Sequence, residues 1–405
     1  MLSVLGQNKL NAWSAAVRQQ WPLPLRVELW NGQHIDLSAE PARVTLRLPD
    51  ARALRYLLAP SLYGLGRAYV EGAIEVRGRA ADMIAIVNAL ARAGGPPRGW
   101  AERLRLARGR GHSRQQDAHA VHYHYDVSNA FYAHWLDPAM VYSCAYFENG
   151  DEDLASAQTK KIDHILAKIG LRRGQSLLDI GCGWGALVLR AAGRFGARCV
   201  GITLSENQAL LARERVAQAG LAHLVEIRVQ DYRDVRGSFE RITSVGMFEH
   251  VGVAHLPAYF RRIEALLADE GVAMNHGLTS TSTEHARAPY GAGEFIERFV
   301  FPRGELAHLG TVLLAMQRGG LEAFDVENLR RHYARTCSHW SDNFETRAEQ
   351  IKRSTDARRY RIWQVYLAGC AYAFEHDWIS LYQIVCRKAG RSPSGLPWSR
   401  RYMYA

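Results

Sequence analysis

Asp179, Gly181, Gly183 and Gly185 stand in Leu177-Leu178-Asp179-Ile180-Gly181-Cys182-Gly183-Trp184-Gly185, where an apolar run meets an acid and then a glycine at every second position. Glycines at a strand-to-helix turn let backbone approach a ligand closely and take up left-handed conformations. The acid before them is placed to bind or orient an amino or hydroxyl group. The spacing is Gly-x-Gly-x-Gly rather than the Gly-x-Gly-x-x-Gly of dinucleotide sites. It points to S-adenosylmethionine as the cofactor.

Two later segments suit the same ligand. Gly201-Ile202-Thr203-Leu204-Ser205 ends the next strand, at the carboxyl edge of the sheet where a ribose or methionine tail would lie. Gln230-Asp231-Tyr232 follows the third strand, and a carboxylate beside an aromatic ring there suits an adenine. The second strand ends in Thr203-Leu204-Ser205 instead of the acid that commonly binds ribose hydroxyls.

That departure belongs to a wider pattern. Tyr125-Asp126-Val127-Ser128-Asn129, Tyr142-Ser143-Cys144-Ala145-Tyr146-Phe147, Gly201 to Gln208 and Val245-Gly246-Met247-Phe248-Glu249-His250-Val251-Gly252 occur in this order around the glycine turn. The chain closely resembles the cyclopropane-fatty-acyl-phospholipid synthase family, which includes the mycolic acid cyclopropane synthases, over about 123–390. Its N-terminal unit is similar to the small accessory domain of the bacterial phospholipid-acting members.

The resemblance implies transfer of a methyl group from S-adenosylmethionine to a cis double bond of a lipid acyl chain. A carbocation forms, a base removes a proton from the new methyl group, and a cyclopropane ring closes. It also implies a bound bicarbonate as that base, held by Cys144, Glu249, His276 and Tyr333 with the Leu278 backbone close by. Glu249 is expected to orient His276. On the cofactor side it places Tyr142 and Ser143 near the methionine end, Gly181 and Gly183 against the backbone, Thr203, Leu204 and Gln208 along the ribose, and Asp231 with Tyr232 at the adenine. Cys370, in Leu367-Ala368-Gly369-Cys370-Ala371, resembles a family cysteine that is a weaker candidate for the catalytic set. Its apolar helix offers nothing to lower a thiol pKa, so it reads as structural.

The elements that must position these residues form a βαβ succession. Strands are expected over 176–180, 198–204, 225–229, 241–246 and 272–276, with helices running to about 194, over 206–218 behind a Ser205 cap, and over 256–267. The succession predicts an α/β fold with a doubly wound, mostly parallel Rossmann-like sheet, and the resemblance implies the seven-stranded sheet of a methyltransferase. Residues 279–320 read as an insertion, 327–374 as helical, and 378–387 as a closing strand of antiparallel type. Trp340, Phe344, Tyr360, Trp363, Tyr366, Tyr372 and Phe374 crowd the helical part, either as core or as the lining of an acyl-chain channel.

Upstream, 25–30 and 44–48 alternate as strands with an Asn31-Gly32 turn between them, 80–91 is helical, and Gly64 and Gly66 weaken a helix over 61–70. The expected organisation is a small N-terminal α+β accessory domain over 1–95, a basic linker over 96–120 rich in arginine and glycine, and a catalytic domain over 121–405. The accessory domain is expected to serve dimer contacts or lipid delivery.

Bulk properties bound the partners. With 405 residues, 48% hydrophobic and 22% charged, the chain reads as a globular protein. No run approaches the ~18 apolar residues of a spanning helix, and residues 1–13 lack the apolar core of an export signal. Six cysteines without Cys-x-x-Cys or zinc-ligand spacing point to reduced thiols, a cytoplasmic location and no metal. The net charge of +11 favours an anionic partner, read here as an anionic membrane surface on which a phospholipid acyl chain is the substrate. No nucleic-acid-binding module or base clamp is present in the sequence, so nucleic acid is not an expected partner. Two alternatives stand beside the leading expectation: a fatty-acyl methyltransferase that leaves a methyl-branched or methylene product, and a non-catalytic lipid-binding protein on the same fold.

Overall fold

A computed structural model of the chain describes residues 4–20, 22–93, 128–283, 292–301, 305–391 and 396–404. The basic segment over 96–120 and the Tyr125-Asp126-Val127 part of the first motif lie outside the described residues. The chain forms two compact units: Met1–Arg110, Arg287–Pro302 and Trp340–Ala373 make one, and Gly111–Ala286, Arg303–His339 and Phe374–Ala405 the other.

In the first unit a four-stranded sheet has the order β2-β1-β3-β4, with β1 at Leu25–Glu28, β2 at His34–Asp36, β3 at Val44–Arg47 and β4 at Glu75–Arg77. The Asn31-Gly32 turn, with Gly32 at φ 84°, joins β1 to the antiparallel β2, whereas β3 runs parallel to β1. β2 escapes the sequence pattern because it is three residues long and carries no fully buried side chain. Leu62–Val70 is helical despite its glycines: Ser61 caps it by accepting from the Gly64 N–H, and Gly66 faces the Phe295 ring, 3.0 Å from where a Cβ would stand. In the same unit Phe344 stacks on Tyr360 at 5.2 Å, and Trp340, Phe344, Tyr360 and Trp363 are buried.

The second unit holds a seven-stranded sheet of order β10-β11-β9-β8-β5-β6-β7. β5 is Ser176–Ile180, β6 Arg198–Thr203, β7 Val225–Val229, β8 Phe239–Val245, β9 Leu267–Ser280, β10 Leu321–Asn328 and β11 Ile379–Lys388. β5 to β9 are mutually parallel, and β11 enters antiparallel between β9 and β10. The fold is therefore the doubly wound Rossmann-like α/β sheet expected from the sequence. One core layer packs Ile165, Ile169, Val188 and Ala212 on one face, and another packs Tyr259, Phe260 and Val312 on the other.

One expectation fails at 327. The segment opens as β10, and the helix begins only at Arg330. The alternation of β10 is hidden because its inward positions include acids: Asp325 is 5% exposed and meets Lys168 at 3.4 Å, and Glu327 meets the same lysine at 2.5 Å. All six cysteines are free. Among the described residues no helix is long and apolar enough to cross a membrane.

Candidate active site

The glycine turn is built by backbone geometry. Gly181, Gly183 and Gly185 have φ of 81°, 54° and 84°, in the left-handed region that side chains resist. The Gly181 and Cys182 N–H groups both donate to the Ile202 carbonyl at 2.9 Å, tying the turn to the end of β6. A Cβ on Gly181 would stand 2.7 Å from the Met247 side chain, so the turn leaves a cradle that only glycine keeps open. Asp179, 3% exposed, accepts from Thr243 Oγ1 at 2.7 Å, and burial pushes its carboxyl up to about 6. These features fit the donor sulfonium nucleoside: close backbone approach and a buried acid beside it.

The neighbouring cofactor candidates are mutually held. Thr203 Oγ1 donates to Gln208 Oε1 at 2.8 Å and accepts from the Ser205 N–H at 3.1 Å, while Ser205 caps the helix Glu206–Gln218. Leu204 lies between them, partly buried. Asp231 is gripped by the Arg233 guanidinium at 2.9 and 2.6 Å, and the Tyr232 ring meets Tyr259 edge-on at 5.2 Å. Tyr142 belongs to an aromatic cluster with Tyr132 at 5.6 Å and Trp135 at 5.3 Å, and Tyr132 in turn packs on Trp184 of the glycine turn at 5.1 Å. Ser143 is fixed from the helix Leu154–Lys168, where Lys161 Nζ donates to its Oγ at 2.6 Å and Gln158 Nε2 to its carbonyl at 2.8 Å.

The segments that carry Cys144, Glu249, His276 and Tyr333 are linked through one another by hydrogen bonds and strand pairing. Glu249, in the 3-10 turn after β8, accepts the Leu278 N–H at 2.7 Å. Leu278 is opposite Leu381 in the β9–β11 ladder, and the Leu381 carbonyl takes the Leu329 N–H at 2.9 Å. The Leu329 carbonyl then receives both the Tyr333 N–H at 3.0 Å and the Cys144 thiol at 3.8 Å. The Tyr333 ring lies against Phe374 at 4.5 Å. Gly277 admits Phe248, whose ring would lie 2.4 Å from a Cβ there.

Two details correct the sequence reading. The partner of His276 is Gln383, whose Nε2 lies 3.2 Å from the imidazole Nδ1, and Glu249 bonds Leu278 instead. The Leu278 N–H is therefore spent on Glu249. Gln383 sits directly opposite His276 in the ladder, a relation invisible from either strand alone. With the amide donating to Nδ1, the ring proton stands on Nε2.

Among the described residues three buried polar atoms of this group have no hydrogen-bond partner: Glu249 Oε2, His276 Nε2 and Gln383 Oε1. Such atoms cost free energy unless something completes them. Burial raises the Glu249 carboxyl to about 7 and drives the imidazole of His276 well below its ordinary range, an effect the nearby Lys161 charge reinforces. The ring is neutral at pH 7. A neutral imidazole N–H, a carboxyl near its titration point, a phenol and a thiol can surround a small oxyanion and handle a proton. The donor set thus fits bicarbonate. Burial pushes the Cys144 thiol far up, so it acts as a neutral group. Cys370, in the first unit, has its thiol raised to about 12 by burial.

Lys161 and Gln383 escaped the sequence reading. The available signal was polar residues, Gln158, Lys161, His164 and Lys168, recurring on the buried stripe of one helix.

A family model described as mycolic acid cyclopropane synthetase matches residues 112–384, and a domain of unknown function, DUF7884, matches 12–93. The chain is 44% identical to the "Probable fatty acid methyltransferase" of Pseudomonas putida, over 95% of this chain and 98% of that protein. It is 34% identical to the "Cyclopropane mycolic acid synthase 1" of Mycobacterium tuberculosis, over 66% of this chain and 96% of that one. Among solved structures it is similar to mycolic acid cyclopropane synthase CmaA1 complexed with SAH and CTAB, with a TM-score of 0.64, 34% identity, and coverage of 67% of this chain and 98% of that chain.

Proposed function

The chain belongs to the mycolic acid cyclopropane synthetase family of S-adenosylmethionine-dependent fatty-acyl methyltransferases and cyclopropane synthases, and we propose that it forms cyclopropane rings on the acyl chains of membrane phospholipids. The observation that carries this reading is that Glu249 Oε2 and His276 Nε2 are buried and lack hydrogen-bond partners among the described residues.

S-adenosylmethionine supplies an activated methyl group on sulfur. The alkene's π pair bonds to that methyl carbon as the carbon–sulfur bond breaks, leaving S-adenosylhomocysteine and a cation on the neighbouring carbon. A proton then leaves the new methyl group, and its bonding pair closes the ring. Bicarbonate would supply the base, held by His276 Nε2, Glu249, Tyr333 and Cys144. The protein's own contribution is to fix donor and alkene in line and to keep water from the cation. Tyr142, Ser143, Asp179, Gly181 and Gly183 serve the methionine end in this reading, Thr203, Leu204 and Gln208 the ribose, and Asp231 with Tyr232 the adenine.

The net charge of +11 supports work at an anionic membrane surface, where the acyl chain stays esterified. The first unit's N-terminal part serves lipid delivery or a homodimer contact in this picture. A second reading, methylation that leaves a methyl-branched or methylene chain, is favoured by the name of the Pseudomonas putida relative. Vesicles of unsaturated phospholipid incubated with labelled methyl donor test both. Ring and methylene products have equal mass, and ozonolysis cleaves only the latter. A resistant labelled product with the mass of the ring supports cyclopropanation, a cleavable one or a resistant one heavier by two hydrogens the second reading, and no label in lipid sinks both. Equal rates on a soluble free fatty acid would remove the membrane requirement.

A further inference from the structure

Lys161 and Lys168 lie seven residues apart on one helix and are 2% and 0% exposed. Lys168 has its counter-charges, Glu327 at 2.5 Å and Asp325 at 3.4 Å. Among the described residues Lys161 has none: its single hydrogen bond there goes to Ser143 Oγ at 2.6 Å, and no carboxylate comes within 4.0 Å. An ammonium carries three donors, and an uncompensated buried charge costs several kcal/mol.

The nearest acids are committed elsewhere. Asp137 takes the Ala139 and Val141 N–H groups at 2.9 and 2.8 Å, and Asp179 takes Thr243. The charges of Asp137 and Asp179 still reach Lys161, and its own charge reaches His276. Burial lowers the ammonium to about 8. The cation thus sits under the segment that joins the cofactor side, Tyr142 and Ser143, to the anion side, Cys144. Gln158, nearly one turn earlier, pins that segment through the Val141 and Ser143 carbonyls at 3.3 and 2.8 Å. Because a Ser143 lone pair is occupied by the ammonium, the hydroxyl proton is left to donate outward.

We propose that Lys161 is a positioning residue whose ammonium, relayed through the Ser143 hydroxyl, supplies the counter-charge for a bound carboxylate-class anion. This rests on the proposed reading of the site. The anion has two sources, the α-carboxylate of the cofactor or bicarbonate, and the experiment separates them.

Lys161→Met keeps the volume and removes the charge, while Ser143→Ala leaves the lysine and cuts the relay. Calorimetry measures S-adenosylhomocysteine binding, and initial rates on phospholipid vesicles are followed against added bicarbonate. A charge-assisted contact predicts a loss of about tenfold or more. If the cofactor carboxylate is the source, both variants bind S-adenosylhomocysteine that much more weakly, and its decarboxylated analogue equally in variant and wild type. If bicarbonate is the source, cofactor binding holds and the half-saturating bicarbonate rises by the same factor. Unchanged cofactor affinity together with unchanged bicarbonate dependence, in both variants, overturns the role of Lys161. Wild-type protein that binds no S-adenosylhomocysteine overturns the site reading itself, and this proposal with it.

Discussion

Two stretches along the carboxyl edge of the second unit's parallel strands are built on opposite principles. Around β5 and β6 the buried polar side chains satisfy one another: Asp179 with Thr243, Thr203 with Gln208, and Ser205 with the Gln208 N–H. What is unusual there is backbone conformation. Around β9 and β11 the backbone is an ordinary ladder, and the side chains Glu249, His276 and Gln383 keep buried atoms without partners among the described residues. A satisfied stretch recognises by shape and is complete before its ligand arrives. An unsatisfied stretch keeps its polar capacity for an incoming group.

The sharpest way to break this contrast is to remove the unsatisfied groups. His276→Ala and Glu249→Gln are each expected to lower turnover on vesicles by roughly 10³-fold while S-adenosylhomocysteine binding, read by calorimetry, stays within about twofold of wild type. Normal turnover in either variant ends their assignment. Gly181→Ala should do the reverse. Its Cβ meets Met247 at 2.7 Å on a residue at φ 81°, so cofactor affinity should fall by about 10- to 100-fold, and unaltered binding would show that the cradle is not used.

Gln383→Glu sharpens the contrast within the second stretch. A carboxylate facing Nδ1 draws the ring proton there and strips it from Nε2, so kcat should fall about tenfold with the pH–rate profile displaced. An unmoved profile would leave Gln383 a packing residue. Glu249 also carries a stability signature. Its carboxyl rises from 4.5 to about 7 on folding, so the folded state binds more protons between those values. Stability is therefore gained below that window and lost as pH rises through it, by about 3 kcal/mol. Urea titrations should show that slope in the wild type and lose it in Glu249→Gln. The smallest effect is expected at Cys370, whose high thiol pKa and membership of the other unit fit packing. Cys370→Ala should keep turnover within about twofold, and a large loss would return it to the catalytic set.

The satisfied stretch was far more legible in the sequence than the other. Gly181, Gly183 and the Ser205 cap advertise themselves because local backbone needs particular residue types, and β5 to β9 follow from periodicity. β10 did not, since Asp325 and Glu327 occupy inward positions where alternation expects apolar side chains. Cys144, Glu249, His276 and Tyr333 came from ordered motifs of a family, not from any local rule. What the sequence withheld was pairing across the sheet. That Gln383 rather than Glu249 faces the imidazole depends on the β9–β11 register, and the contrast between Lys161 and Lys168 depends on which strand runs past each ammonium.

The position of β11 has a consequence for the making of the protein. Of the described strands it is the last in the chain, yet it lies inside the sheet between β9 and β10. It delivers Gln383 to a histidine 107 residues earlier. A ribosome-bound chain can form the glycine turn once β5 to β8 have emerged, but the β9–β11 pairing stays unassembled until Ile379–Lys388 has left the exit tunnel. Synthesis thus separates in time the two parts of the proposed site: a growing chain completes the glycine turn well before it pairs Gln383 with His276.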